Sequence, residues 1–266
     1  MSGIDDKQDP QGGQITRLFT PAGKPKRRPD AIADLMKDYI RTQGLGPGAR
    51  LPQERELIDR FKAAKGTVRE AMKALETQGL VFTRSGPGGG AFVAQPSAQR
   101  AMELMSTHFF FDQPSLSDIY AIRKALEPEV AAQLAGHITE AELALLESTI
   151  RIYDRPPADA DEQYRQRVAE LDFHSQLAQL CPNPLLGFLC SLMHNLLRDL
   201  PLARRIYADP APSSREEGVS FQYRLMAALK DGRAEDARRI AAEHMAFAEA
   251  YMLARADEHE GSATDD

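Results

Sequence analysis

Lys65 and Arg69 stand four residues apart, so on a helix they share one face, with Thr67 between them and Arg55 upstream. An arginine can read guanine through two parallel hydrogen bonds, while threonine and backbone N–H groups suit phosphates. These are the residue types that a helix entering the DNA major groove carries near its start. A second constellation lies far downstream. Glu170 and His174 repeat the four-residue spacing, and His244 follows within Ala242-Glu-His-Met245. A carboxylate and two imidazoles can ligate Zn, Ni or Mn and leave positions open for an incoming acid. The same spacing on an amphipathic helix also serves a purely structural pair. His108, His137, His194 and His259 lack such partners and read as surface or packing residues. No nucleophile motif accompanies Glu170 and His174, so an enzyme is not expected.

Both constellations need helices to hold them. Ile32, Leu35, Met36, Tyr39 and Ile40 recur at helical spacing after Pro29, and Gly44-Leu-Gly-Pro-Gly48 stops that helix. A short segment from Gln53 to Phe61 and a helix from about Thr67 to Gln78 follow, the latter striped by Val68, Ala71, Met72 and Leu75 and closed by Gly79. Leu80 to Arg84 and Ala91 to Ala94 then form two short apolar strands around Ser85-Gly-Pro-Gly-Gly-Gly90, a β-hairpin. Three helices and a hairpin make a winged helix-turn-helix. Its tip, Ser85-Gly86, can lie against a neighbouring groove because glycine permits close approach. The Gly-rich run lacks the strand–loop–helix setting and Lys-Ser/Thr ending of a nucleotide loop.

Beyond Gln95-Pro-Ser97 the pattern is helical throughout, at about 98–110, 116–135, 139–153, 160–181, 185–207, 214–231 and 234–256, with Ser115 and Thr139 as N-caps. The expected class is therefore mainly α: a winged helix-turn-helix over 29–94, a linker at 95–99, and an all-α bundle of six or seven helices over 100–256. Residues 1–28, ending in Lys24, Lys26, Arg27 and Arg28, read as a disordered basic arm, and 257–266 as a disordered tail.

Charge divides along the same boundary. Residues 17–94 hold 15 Lys/Arg against 8 Asp/Glu, whereas 95–266 hold 17 against 28, within a net charge of -6. A basic first domain and an acidic second one suggest that the first alone meets a polyanion. No apolar run is long enough for a membrane span and the start lacks a secretory signal, so a cytoplasmic protein without membrane contact is expected. Two cysteines, Cys181 and Cys190, are too few for a disulfide framework or a four-thiolate zinc site.

Leu51-Pro-Gln-Glu-Arg-Glu-Leu57, then Thr67-Val-Arg-Glu-Ala-Met-Lys-Ala-Leu75, then Gly79-Leu-Val81 resemble, in order and separation, the N-terminal domain of the GntR family of bacterial regulators. The resemblance implies that Arg55, Lys65, Thr67, Arg69 and Gly86 contact a double-stranded DNA operator. The chain departs where Ala64-Lys-Gly-Thr67 replaces the usual Ser/Thr-Arg-Thr-Thr, and lysine loses the planar fork of arginine. Ile119 to Glu127, Leu171-Asp-Phe-His174 with Asn183-Pro184, and Ala228-Leu-Lys-Asp-Gly232 leading to His244 resemble the FCD ligand-binding domain of the FadR subfamily. That resemblance implies a divalent metal held at Glu170, His174, Gln222 and His244, with Gln222 a weak amide donor where the family has histidine.

It also implies an inward Arg123 able to clamp a carboxylate, unless Arg123 pairs with Glu127 one turn later. Without a metal, Arg123, Gln222, His174 and His244 are the expected effector contacts, and Tyr120 and Tyr223 could line the same pocket. The whole reads as a dimeric transcription regulator, expected to be a repressor associated with the bacterial nucleoid. It would act on a palindromic operator under a small carboxylate effector, or, alternatively, under the metal ion itself.

Overall fold

The computed structural model describes residues 27–208 and 213–261. They fold as two compact units divided at Ser97.

The first unit has the expected elements: α1 (Arg28–Thr42), α2 (Glu54–Phe61), α3 (Lys65–Thr77), and an antiparallel hairpin of β1 (Val81–Arg84) and β2 (Gly90–Val93). Ile32, Met36, Leu57, Val68, Leu75, Val81 and Val93 bury one apolar stripe or face from each element into a common core. Gly79 takes a φ of 71° after α3, the left-handed position that lets the chain leave the helix for β1. Between α2 and α3, Lys62 adopts a φ of 45°, unusual for a residue with a side chain. The Arg28 guanidinium holds that turn by donating to the Lys62 carbonyl at 3.1 Å. Helix α3 starts at Lys65, earlier than the apolar stripe suggested, which places Lys65 on its first turn. Of the arm expected over 1–28, residues 1–26 lie outside the described ones and Arg28 already opens α1.

The second unit is all helical: α4 (Ala98–His108), α5 (Leu116–Leu134), α6 (Glu140–Ile150), α7 (Ala160–Leu180), α8 (Pro184–Asp199), α9 (Pro201–Ala208), α10 (Ser213–Lys230) and α11 (Ala234–Gly261). Among the described residues, eight helices stand where six or seven were expected. The single helix anticipated over 185–207 is two, because Pro201 cannot continue the hydrogen-bond ladder and instead opens α9. Helix α4 begins inside the expected linker. Helix α11 runs to Gly261, beyond the stop expected after Ala256, since Met252 and Ala256 still face the core. Residues 262–266 lie outside the described ones.

Both expected N-caps form. Ser115 Oγ accepts from Asp118 N at 3.1 Å and Thr139 Oγ1 from Glu142 N at 3.2 Å, and each acid reaches back to the cap residue's N–H. One core gathers Phe173, Leu146, Ile150 and Leu229; a second gathers Ile119, Leu197, Ile206 and Met252. Helix α7 passes between them, contributing Phe173 to the first and Leu171 to the second.

Candidate functional site

The winged unit presents its cations together. Lys65 and Arg69 are exposed on the first turns of α3, Thr67 is half-buried between them, and Arg55 is exposed on α2. The N-cap of α3 is Ala64, whose side chain cannot cover the first-turn N–H groups. Those donors and the positive end of the helix are therefore available to a phosphate. Gly86 is exposed at the hairpin tip with a φ of 89°, where a side chain would be strained.

Three residues that sequence reasoning passed over complete this face. Arg50 donates to the Gly89 carbonyl at 2.6 Å and pins the turn of the wing just before β2. Arg84 lies over the stacked Phe82 and Phe92 rings, about 5.4 and 5.5 Å from their centres. Glu54 accepts from Arg69 Nε at 2.8 Å and stands 3.6 Å from Lys65 Nζ. Arg69 holds the Glu54 carboxyl below the usual carboxylate range. Alternating charge near a helix start was a visible signal for Glu54; the Arg50 and Arg84 contacts depend on where the wing folds.

In the helical unit, α5, α7, α9 and α11 enclose a cavity of about 50 Å³. Arg123, Glu170, His174 and His244 line it, as the sequence suggested, with Tyr120 from α5. Arg167, Tyr207 and Tyr251 join them unforeseen. Gln222 and Tyr223 do not line it. Gln222 on α10 is fully buried, and neither amide atom has a hydrogen-bond partner, with the buried Tyr153 hydroxyl close by. Tyr223 is turned outward on the next position of the helix and is exposed. Asp172 likewise faces away and pairs with Arg198 at 2.5 Å.

Behind the cavity lies a buried carboxylate that serves three partners. Arg123 Nε donates to Glu127 Oε1 at 2.5 Å, His194 Nε2 meets the same oxygen at 2.9 Å, and His174 Nδ1 meets Oε2 at 2.8 Å. Arg123 is thus both paired with Glu127 and part of the cavity wall. His194, read from sequence as an ordinary packing residue, is almost wholly buried and belongs to this network.

Burial alone would raise the Glu127 pKa, but Arg123, His174 and His194 together hold it well below the usual range. Burial pulls the Arg123 pKa down, and Glu127 outweighs it, leaving the guanidinium firmly charged. Burial pushes His194 down to about 4 against the pull of Glu127, and burial with neighbouring His174 pushes His244 well down. His194 and His244 are therefore neutral near pH 7. Bonding His174 through Nδ1 leaves its Nε2 as the open ring nitrogen, with the His244 ring centre 5.0 Å away.

A divalent metal would need Glu170, His174, Gln222 and His244 to converge on one point. His174 is oriented by a carboxylate, as metal-bound histidines commonly are. Glu170, however, is drawn to Arg167 at 2.7 Å, and Gln222 stands outside the cavity. Among the described residues, no three His, Cys, Asp or Glu side chains converge as a bound ion requires. The set does not fit a resident metal. Two guanidiniums, Arg123 and Arg167, border the cavity beside the Glu170 carboxylate, and Tyr120, Tyr207, Tyr251 and Phe247 share its wall with the imidazoles of His174 and His244.

Comparison with known proteins agrees with both halves. Residues 29–93 match the family described as bacterial regulatory proteins, gntR family, and residues 118–247 match the FCD domain. The HTH-type transcriptional repressor NanR of Klebsiella aerogenes is 27% identical over 246 residues, covering 91% of this chain and 90% of that protein. NanR of Edwardsiella tarda is 29% identical over 203 residues, covering 75% of each. In structure the chain is similar to Streptococcus agalactiae GntR, with a TM-score of 0.59 and 21% identity over 83% of this chain and 98% of that one. That likeness concerns the fold.

Proposed function

We propose that this chain, a gntR-type winged helix joined to an FCD domain, is a transcriptional repressor controlled by a small carboxylate effector. It acts as a homodimer on a palindromic operator. Lys65, Thr67 and Arg69 enter the major groove, Arg55 contacts the backbone, and the Gly86 tip approaches the neighbouring groove. The observation that carries the effector assignment is the cavity itself, where Arg123 and Arg167 meet His174 and His244 beneath three tyrosines.

A carboxylate seated there accepts hydrogen bonds from Arg167 and Arg123 and from an imidazole N–H that faces it. It touches α5, α7 and α11 together, so the affinity for it differs between arrangements of these helices. Operator affinity then changes through the arrangement of the two winged domains in the dimer. A coupling of about 1–3 kcal/mol, or roughly 5- to 150-fold, is ordinary for such regulators.

The test uses the full chain and a duplex enriched by it from a random pool. Operator affinity is followed by fluorescence anisotropy against a panel of small carboxylates, beside the metal content of protein purified without chelator. One or more carboxylates are expected to shift affinity in the wild-type chain and not in Arg167→Met, which keeps its operator affinity. Stoichiometric Zn, Ni or Mn, with affinity tracking the ion and no organic ligand, overturns this reading in favour of an ion-responsive regulator.

A further inference from the structure

Two cations on the DNA-facing side of α3 share a single carboxylate across the helix-turn-helix. Glu54, on the first turn of α2, accepts from Arg69 Nε at 2.8 Å and lies 3.6 Å from Lys65 Nζ. All three side chains are open to solvent, with Lys65 and Arg69 63% exposed and Glu54 39% exposed. Exposed pairs of this kind add little stability, so the fold alone gives a weak reason for the contact. Its effect on DNA is larger. An unrestrained guanidinium can meet a phosphate from many directions, whereas one bonded at Nε has its plane fixed and offers its two terminal nitrogens as a fork. A fixed fork matches the O6 and N7 acceptors of guanine. With α3 in the major groove, the Glu54 carboxylate would also face phosphates and oppose them at short range.

We propose that Glu54 determines specificity: it holds Arg69 ready for a base edge and withholds Arg69 and Lys65 from the phosphates of non-operator DNA. The assignment rests on the reading of α3 as the DNA-contacting helix. On the enriched duplex, the base edge compensates for the carboxylate. On unrelated DNA nothing does, and binding is weakened.

The experiment compares the full-length wild type with Glu54→Gln and Arg69→Lys on the enriched duplex and on an unrelated duplex of equal length. Glu54→Gln is expected to bind the unrelated duplex several-fold more tightly, with a salt dependence steeper by about one phosphate contact. Its preference for the enriched duplex is expected to fall about tenfold, the scale of one lost bidentate contact. Arg69→Lys, which keeps charge but not the fork, is expected to lose preference to a similar extent, and adding Glu54→Gln to it should lose little more. Equal shifts on both duplexes in Glu54→Gln, or fully additive losses in the double variant, overturn the proposal. Should the wild type enrich no sequence at all, the DNA-binding reading itself fails, a result distinct from an unchanged preference in Glu54→Gln.

Discussion

Glu127 shows how one side chain can organise the wall of a cavity that it does not itself line. Its two oxygens serve Arg123, His174 and His194, so its loss leaves a buried guanidinium without its counter-charge. Glu127→Ala is expected to destabilise the helical unit by about 3–5 kcal/mol in urea unfolding, whereas Arg123→Met with Glu127→Leu should recover part of that loss. The same network sets a pH dependence. His194 has a folded pKa of about 4, below its unfolded value near 6.5, so the unfolded chain binds more protons in between. Its contribution is complete above pH 6.5 and is lost as pH falls toward 4, at about 1.4 kcal/mol per pH unit. Glu127, also lowered, adds a further loss once pH drops below the ordinary carboxylate range. Urea midpoints measured from pH 7 to 4 should fall, and His194→Gln should flatten the upper part of that curve.

Among the elements, the junction of α7 and α8 is close-packed at Gly187. A Cβ on Gly187 would lie 2.2 Å from the Ala178 carbonyl oxygen, so α8 packs its backbone directly against the end of α7. Gly187→Ala must push these helices apart, at a cost of about 1–3 kcal/mol read as a lower thermal midpoint. His174 and His194 lie on these two helices and both bond Glu127, so the displacement should also weaken carboxylate binding. On α3 the expected changes are of another kind. Lys65→Ala should weaken binding nearly uniformly across sequences and reduce the salt slope by about one, as a phosphate contact does. Arg69→Ala should instead relax discrimination at one base position. Anisotropy titrations on substituted duplexes separate the two.

For the whole molecule, charge partition carries the prediction. The winged unit is basic and the helical one acidic, so the proposed dimer would bring two cationic faces to DNA. With roughly six to ten phosphate contacts, affinity should fall by about 10³–10⁵ between 50 and 200 mM salt, measured at several concentrations. Carboxylate binding in the acidic unit should show no comparable salt dependence, because its cations are buried and poorly screened.

What the sequence determined by itself is local. Helix stripes, the Ser115 and Thr139 caps, the Gly79 stop and the wing follow from contacts within a few residues, and such contacts are written directly in spacing. The Arg123–Glu127 pair was visible for the same reason, being one helical turn apart. Tertiary structure decided which distant groups meet. Glu127 reaches His194, 67 residues away, only because α5 crosses α8 where both are buried. Glu170 turns to Arg167 rather than joining His244, and Gln222 falls outside the cavity, because helix rotation selects one face among several that spacing permits. Tyr207 closes the cavity because Pro201 breaks the chain into a separate α9 and redirects it. Spacing fixes which side chains share a face; the crossing of helices fixes what that face meets.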